Sequence, residues 1–407
     1  MRIPVIPIII IFTVSFLTDM YIWRDIRRNT AHTLWARLYL GFSIACWIFL
    51  AIAMSLPRRG ENDILPVMWM LYGYLTVYIP KLIFTIFSML GGLPRLWRGR
   101  TLRTGLYAGL PLGLLMCALM WWGAFSGRTN INVSHVDIDS AKIPQSFDGY
   151  RIVQFSDAHT GTWGTDTTFI STLVDTINSL HPDIIVFTGD IVNRHTNEIN
   201  PFVNTLSRLH APQGIYSILG NHDYGDYMDW ATPQDREKNN RRLLDIQKQM
   251  GWTTLNNSSI FLHSENDSIT LIGVENWGEP PFHQYGDLGK AYSFSPDSTD
   301  NLNDCKFKIL LSHNPEHWRQ EVARRTNIDL TLSGHTHAMQ FMITIGNWRW
   351  SPSQYRYEQW GGLYEQTASD GTPVRIYVNI GCGEVGMPFR VGATPEVTLI
   401  TLHHKSK

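Results

Sequence analysis

The pattern of apolar and polar positions divides the chain into two unlike parts. Four long apolar stretches cover roughly residues 3–23, 34–56, 67–93 and 106–125. Each approaches the ~20 residues that a helix needs to cross about 30 Å of hydrocarbon. Tyr21, Trp23, Trp35, Trp69, Trp97, Trp121 and Trp122 gather near their ends, where amphipathic rings favour a membrane–water interface. Pro80 and Pro111 fall inside the third and fourth stretches, a placement that membrane helices tolerate. Leu17-Thr18-Asp19-Met20 is a poor cleavage site for a secretory signal. Four such runs in succession are hard to bury in a soluble core. Residues 1–126 are therefore expected to form a bundle of about four transmembrane helices.

The remainder has shorter periods. After an expected linker over 127–147, Tyr150–Phe155 reads as a buried strand. Thr167–Leu180 has apolar residues at Phe169, Ile170, Leu173, Val174, Ile177 and Leu180, which is helical spacing. Strands are expected at Asp183–Thr188 and Gly214–Leu219, and helices at Pro201–Leu209 and Arg236–Met250. Beyond these lie β-like runs at Thr253–Leu255, Ser259–His263, Ser268–Val274, Phe307–Leu311, Asp329–Leu332, Arg375–Asn379 and Glu396–Leu402. Alternating strands and helices followed by mostly strands suggest an α/β sandwich with more than one sheet over 148–403.

Charge sharpens the division. The 407 residues carry a formal net charge of −1, an average over two different objects. The charges of the first third are few and almost all Arg, and no long basic run suggests nucleic acid. Arg24, Arg27 and Arg28 in the first connection, with Arg95, Arg98, Arg100 and Arg103 in the third, outnumber Arg58 and Arg59 in the second. The positive-inside rule then puts the first and third connections in the cytoplasm and the soluble domain on the extracytoplasmic side. The apolar stretches hold few ionisable residues, mainly Asp19, Arg37 and Lys81. That is a thin basis for a transport pathway. Cys305 and Cys382 can pair or remain free thiols, and no cysteine spacing suggests a metal.

Chemistry enters with short polar clusters, each just after an apolar run: Asp157-Ala158-His159, Gly189-Asp190, Gly220-Asn221-His222-Asp223, Ser312-His313-Asn314 and Gly334-His335-Thr336-His337. The first three recur at roughly thirty residues, the length of a strand–helix–strand unit. Sites in open α/β sheets form at the carboxyl ends of strands. Carboxylate, imidazole and amide oxygen together suit Mn, Fe or Zn better than calcium. So many ligands exceed the needs of one tetrahedral ion. Two divalent ions sharing a carboxylate fit better, with a hydroxide between them as nucleophile for displacement at phosphorus. Singly, Asp157 could be a loop cap and Asn221 turn chemistry; jointly the clusters make that reading fail.

These motifs in this order resemble the calcineurin-like metallophosphoesterase family over roughly 148–403. The final stretch is similar to its membrane-associated, YkuE-like branch: Tyr377-Val378-Asn379-Ile380-Gly381, Gly386-Met387-Pro388-Phe389-Arg390 and Pro395-Glu396-Val397-Thr398-Leu399. The resemblance implies a four-layer α-β-β-α sandwich. It also implies one metal on Asp157, His159, Asp190 and His337, and a second on Asp190, Asn221, His313 and His335. His222 would act on the phosphoryl or leaving oxygen, with Asp223 orienting it. Asn193 stands where many members have Asp, and Ala158 is smaller than usual.

The implied activity is hydrolysis of phosphate esters, with a phosphodiester or lipid-linked phosphate as substrate. A variant is pyrophosphatase action on a nucleotide-linked lipid. A non-catalytic membrane sensor or scaffold for a phosphorylated ligand is the reading of another class, although no ligand or His222 is lost. His210, His263, His283 and His317 match no motif and read as surface or structural. Trp163, Tyr224, Tyr227 and Trp230 are candidates for a pocket lining or for core. Trp348, Trp350, Tyr355, Tyr357 and Trp360 are candidates for facing substrate or membrane.

Overall fold

The computed structural model describes residues 5–29, 33–56, 64–93, 102–280, 283–292, 307–367 and 371–406. The chain forms two compact units, residues 127–385 and 390–407 making up most of the second.

The first unit contains α1 (Val5–Asn29), α2 (Thr33–Ser55), α3 (Leu65–Gly92) and α4 (Leu110–Trp122). A π-turn at each end extends α4 to Gly105–Gly127. Among the described residues, three helices are long and apolar enough to cross a membrane: Thr33–Ser55, Leu65–Gly92 and Gly105–Gly127. α1 runs for 25 residues and carries Asp19 past its midpoint. α3 and the last helix approach closely along a stripe of small residues. A Cβ on Gly109 would lie 2.8 Å from the Phe87 side chain, and one on Gly113 3.0 Å from the Pro80 carbonyl. Such stripes let backbones touch where lipid offers no hydrophobic drive.

Asp19 is the polar hub of this unit. Its Oδ1 accepts from Tyr39 (2.7 Å), Ser43 (3.0 Å) and Lys81 (2.9 Å). Its Oδ2 accepts from Trp47 (3.0 Å) and Tyr78 (2.7 Å). Helices α1, α2 and α3 thus meet on one satisfied carboxylate.

The second unit is built on two six-stranded sheets. The first contains β1 (Asn132–Ser140), β2 (Tyr150–Phe155), β3 (Ile184–Phe187), β4 (Ile215–Ser217) and β5 (Trp252–Thr254). The second contains β6 (Ser258–Ser264), β7 (Asp267–Gly273), β8 (Lys308–Leu311) and β9 (Leu330–Ser333). A separate ribbon is formed by β10 (Ile343–Ile345) and β11 (Trp348–Trp350). β12 (Gly362–Thr367) and β13 (Pro373–Val378) join the second sheet, and β14 (Glu396–His404) joins the first. The orders are β1-β14-β2-β3-β4-β5 and β12-β13-β9-β8-β7-β6. β2 to β5 are parallel, as are β7, β8, β9 and β13.

The two-residue period of a strand assigns the layers. Ile152, Ile184, Val186, Ile309, Leu311, Leu330 and Leu332 join one core between the sheets. Val153, Ile185 and Phe187 point the other way, onto Ile170, Leu173, Val174 and Ile177 of α5 (Thr168–Ser179) and Leu243 and Ile246 of α6 (Pro233–Gln249). Leu310, Ile376 and Val378 pack outward onto Trp318 and Val322. The result is the four-layer α-β-β-α sandwich. Strands buried on both faces read as continuous apolar runs, which is why β3 and β8 stand out in the sequence.

The stretch 127–147, expected as a linker, instead carries β1. It pairs in parallel with β14 over nine residues, from Asn132↔Glu396 to Ser140↔His404. It is an edge strand in which Ile138 alone is fully buried, so its apolar alternation is too weak to announce it. Cys382 is a free buried thiol, and Cys305 lies outside the described residues.

Candidate metal centre

Each candidate ligand lies on a loop leaving the carboxyl end of a strand. Asp157 and His159 follow β2, Asp190 follows β3, Asn221 follows β4, His313 follows β8, and His335 and His337 follow β9. Five of them have left-handed backbone: Asp157 (φ 54°), His159 (43°), Asp190 (61°), His335 (75°) and His337 (50°). That conformation costs an L-residue about 1–2 kcal/mol, and such strain concentrates at functional sites. Loop-to-loop hydrogen bonds hold it. Asp157 N–H donates to the Gly189 carbonyl (2.9 Å), His159 N–H to the Asp190 carbonyl (3.1 Å), and His335 N–H to Asp157 Oδ2 (3.0 Å). The motif glycines make the room: a Cβ on Gly220 would collide with the Asp190 carboxylate, and one on Gly334 with Ser156 and Asp157.

The side chains converge in two groups, Asp157–His159–His337 and Asp190–His313–His335. Within each group the potential ligand atoms lie within 4.8 Å of one another. In the first, His337 Nε2 is 3.1 Å from His159 Nε2 and 3.2 Å from Asp157 Oδ1. In the second, His313 Nε2 is 3.2 Å from both His335 Nδ1 and Asn221 Oδ1. Asp190 Oδ2 lies 3.1 Å from His313 Nε2 and 3.7 Å from His159 Nε2, between the groups. Asp157, His159, Asp190, His313 and His337 are buried, while Asn221, His222 and His335 are partly exposed. The centre therefore opens to solvent on the side of these three.

The proton inventory suits metal ligation, which needs neutral imidazoles and ionised carboxylates. Burial, then His222, hold His159 well below the usual histidine range. Burial, then His313, lower His335 to about 3. Burial would raise both carboxylates, but His337 for Asp157 and His313 for Asp190 outweigh it and hold them low. His313 differs. Burial works against its charge, yet Asp190 and the Thr188 carbonyl raise it to about 9. Its Nδ1–H donates to that carbonyl at 2.7 Å, leaving Nε2 as the nitrogen that an ion would take from a proton. Two pairs of imidazole nitrogens facing each other across 3.1–3.2 Å, with carboxylate oxygens between, fit cations of borderline hardness.

His222 stands beside the groups. Its Nδ1–H donates to the Asn193 carbonyl (2.6 Å), and its ring stacks on Tyr227 with centroids 4.3 Å apart. Nε2 is the nitrogen left for a substrate oxygen. Among the described hydrogen bonds, Asp223 does not meet the His222 ring directly. Asp223 instead accepts backbone N–H groups of Asp190 (2.8 Å), Ile191 (2.9 Å), Val192 (3.3 Å) and Gly220 (2.9 Å), and so ties the loop after β3 to the loop after β4. Burial pushes its carboxyl up to about 7, against the pull of those N–H groups.

Other supports come from residues to which the sequence assigned no ligand partner. Tyr357 Oη is 2.9 Å from His335 Nε2, and Tyr227 Oη accepts from Asn221 Nδ2 (2.8 Å). Fully buried Arg390 donates to the Ala393 carbonyl (2.8 Å) and the Gly383 carbonyl (2.9 Å), with its Nη2 3.1 Å from His337 Nδ1. Of the aromatic candidates, Trp163 stacks on Phe169 in the core and Tyr224 on Tyr285. Trp230 lines a polar cavity of about 410 Å³ together with His195, Asn239 and Arg242. His317 is structural: buried, stacked on Trp277 and hydrogen-bonded to Ser312.

Comparison with known proteins agrees with this geometry. Residues 150–339 match the model of the calcineurin-like phosphoesterases. Residues 1–128 match a transmembrane domain described as belonging to probable calcineurin-like phosphoesterases, a four-helix family. The Bacillus subtilis metallophosphoesterase YkuE is 31% identical over 283 residues, covering 67% of this chain and 85% of that protein. A zebrafish (Danio rerio) transmembrane protein with a metallophosphoesterase domain is 28% identical over 97% of this chain and 88% of its own length. The UDP-2,3-diacylglucosamine pyrophosphatase LpxG of Chlamydia muridarum is 28% identical over 50% of this chain and 68% of that protein. Strand-end ligands, facing imidazoles and these matches together make the chain a membrane-associated member of the calcineurin-like phosphoesterase family, a family of metal-dependent hydrolases.

Proposed function

We propose that this protein is a membrane-anchored, dinuclear-metal phosphoesterase whose substrate is a phosphodiester or a lipid-linked phosphate. The observation that carries the reading is the facing of His159 on His337 and of His313 on His335, with Asp190 between the pairs. Asp157, His159, Asp190 and His337 would hold one ion, and Asp190, Asn221, His313 and His335 the other. Two divalent ions there supply Lewis acidity for an in-line displacement at phosphorus by water. His222, fixed through Asn193, presents Nε2 to the departing oxygen as proton donor. Tyr227 keeps that ring upright, and Asp223 holds its loop against the one bearing Asp190. Arginines concentrated in the first and third helix connections support an extracytoplasmic catalytic domain.

The similarity to LpxG favours a second substrate, a nucleotide-linked lipid diphosphate. Both readings are tested on full-length protein stripped of metal, then given Mn²⁺, Zn²⁺ or Fe²⁺. It is assayed on a phosphodiester, a phosphomonoester, a lipid phosphate and a nucleotide diphosphate lipid. No metal-dependent hydrolysis of any of them would refute the enzyme. Protease access to the C-terminus in intact cells tests the side.

A further inference from the structure

The ribbon of β10 and β11 leaves an apolar face open to solvent. Its register pairs Ile343 with Trp350, Thr344 with Arg349 and Ile345 with Trp348. Residues directly opposite in an antiparallel pair share a face, and the strand period brings Ile343 and Ile345 onto the same one. One face thus carries Ile343, Ile345, Trp348 and Trp350, and the other Thr344 and Arg349. On the polar face Thr344 and Arg349 are exposed, and Arg349 reaches back to donate to the Gly361 carbonyl (3.0 Å) and lie over the Trp360 ring; on the apolar face Trp350 is partly buried beside Phe341 and Tyr355. The apolar face looks outward, with Ile345 68%, Trp348 54% and Ile343 39% exposed. No third strand joins the ribbon among the described residues. Tyr355, 79% exposed and 6.4 Å from the Trp350 ring, extends the patch.

Its roots lie in the metal centre. Ser351 Oγ donates to the Ala338 carbonyl (2.6 Å), next to His337. Thr336 Oγ1 donates to the Trp360 carbonyl (2.6 Å), and Tyr357 meets His335. An outward apolar face beside a site is a docking surface, because monomeric soluble domains rarely leave such a patch bare. The chain itself supplies the occupant's chemistry: it carries helices that span a membrane, so a bilayer is always within tether range of this domain. A Trp flanked by Ile at the tip of a short ribbon, with Arg at its side, is the composition that settles at the headgroup–acyl boundary.

We propose that the outward face of this ribbon, Ile343, Ile345, Trp348 and Trp350, seats in the interface of a phospholipid bilayer and presents membrane-held esters to the adjoining metal centre. The lipid contact stands on the ribbon alone, whereas its link to catalysis rests on the phosphoesterase reading above.

The test uses full-length protein in nanodiscs of phosphatidylcholine brominated high on its acyl chains. The emission of wild type minus that of Trp348→Tyr isolates Trp348, which should be quenched about twofold relative to unbrominated lipid if it sits at the interface. Ile345→Ser/Trp348→Ser should cut hydrolysis of a bilayer-held phosphate ester about tenfold, through lost interfacial anchoring, and leave a water-soluble aryl phosphodiester unaffected. Quenching without hydrolysis by the wild type would sink the enzyme reading and keep the lipid surface. An unquenched Trp348 overturns the surface. A double variant that turns a dimer into a monomer, with Trp348 unquenched, would assign the face to a second copy of the chain instead.

Discussion

Two buried polar clusters, one in each unit, are opposites in their chemistry. Around Asp19 a carboxylate meets five donors, one of them the Lys81 ammonium at 2.9 Å. Every lone pair finds a proton, and the cluster is closed. Around Asp190 the neighbours are imidazole nitrogens that face one another at 3.1–3.2 Å. Burial, with His222 beside His159 and His313 beside His335, holds those two imidazoles below the usual histidine range, so their ring nitrogens are offered as lone pairs. A satisfied cluster fixes helices together, whereas an unsatisfied one waits for cations. Asp19 is spent on packing α1, α2 and α3 together.

Four experiments break or sharpen that contrast. Asp190→Asn should have the largest effect. It should lose more than ~10²-fold in metal-dependent hydrolysis, since even outer partners of metal ligands are worth 10–100-fold. Added metal should no longer raise its melting temperature. A variant that keeps both would dissolve the distinction between the clusters. Asp19→Leu should leave soluble-substrate turnover alone but destabilise the detergent-solubilised protein by about 3–5 kcal/mol, the cost of stranding a buried charge. Adding Lys81→Leu should recover most of this, measured by thermal unfolding. If the single variant is neutral, the hub is not what holds α1 to α3.

His222→Ala should reduce turnover about 10²-fold, at the low end for a proton donor, while elemental analysis still finds the wild-type metal content. Loss of metal would make it a ligand. The smallest effect is a pH trend. His313 has its folded pKa raised to about 9 from 6.5, so its contribution is fully present below pH 6.5 and is lost as pH rises through 9. The metal-free protein should therefore lose stability across that window. Metal affinity should rise over the same window as binding displaces the proton. A flat affinity profile would exclude His313 as a proton-coupled ligand.

Legibility followed locality. Gly220-Asn221-His222-Asp223 and Gly334-His335-Thr336-His337 were readable because their glycines and ligands sit within four residues, forced together by a tight strand-end turn. β3 and β8 were readable because burial on both faces leaves continuous apolar runs. β1 was not, since one buried residue on an edge strand makes no pattern. The resemblance implied that Asp223 orients His222, a long-range matter that no local pattern could decide. Four backbone N–H groups on two loops hold its carboxylate. Tyr357 and Arg390 stood out in the sequence, but not their partners, because they meet His335 and His337 across 22 and 53 residues.

By itself, the sequence determined the kinds of atoms available and the order in which strand ends would offer them. It also marked apolar stretches long enough to leave water for lipid. Those are properties of composition and short-range period, which steric and solvation rules translate directly. Only the tertiary structure decided that His159 would face His337 across 178 residues and that Asp190 would lie between two groups. It alone turned the apolar face of a small ribbon outward. Such choices depend on which loops close on which. That is settled by packing of both sheets at once rather than by any stretch of chain.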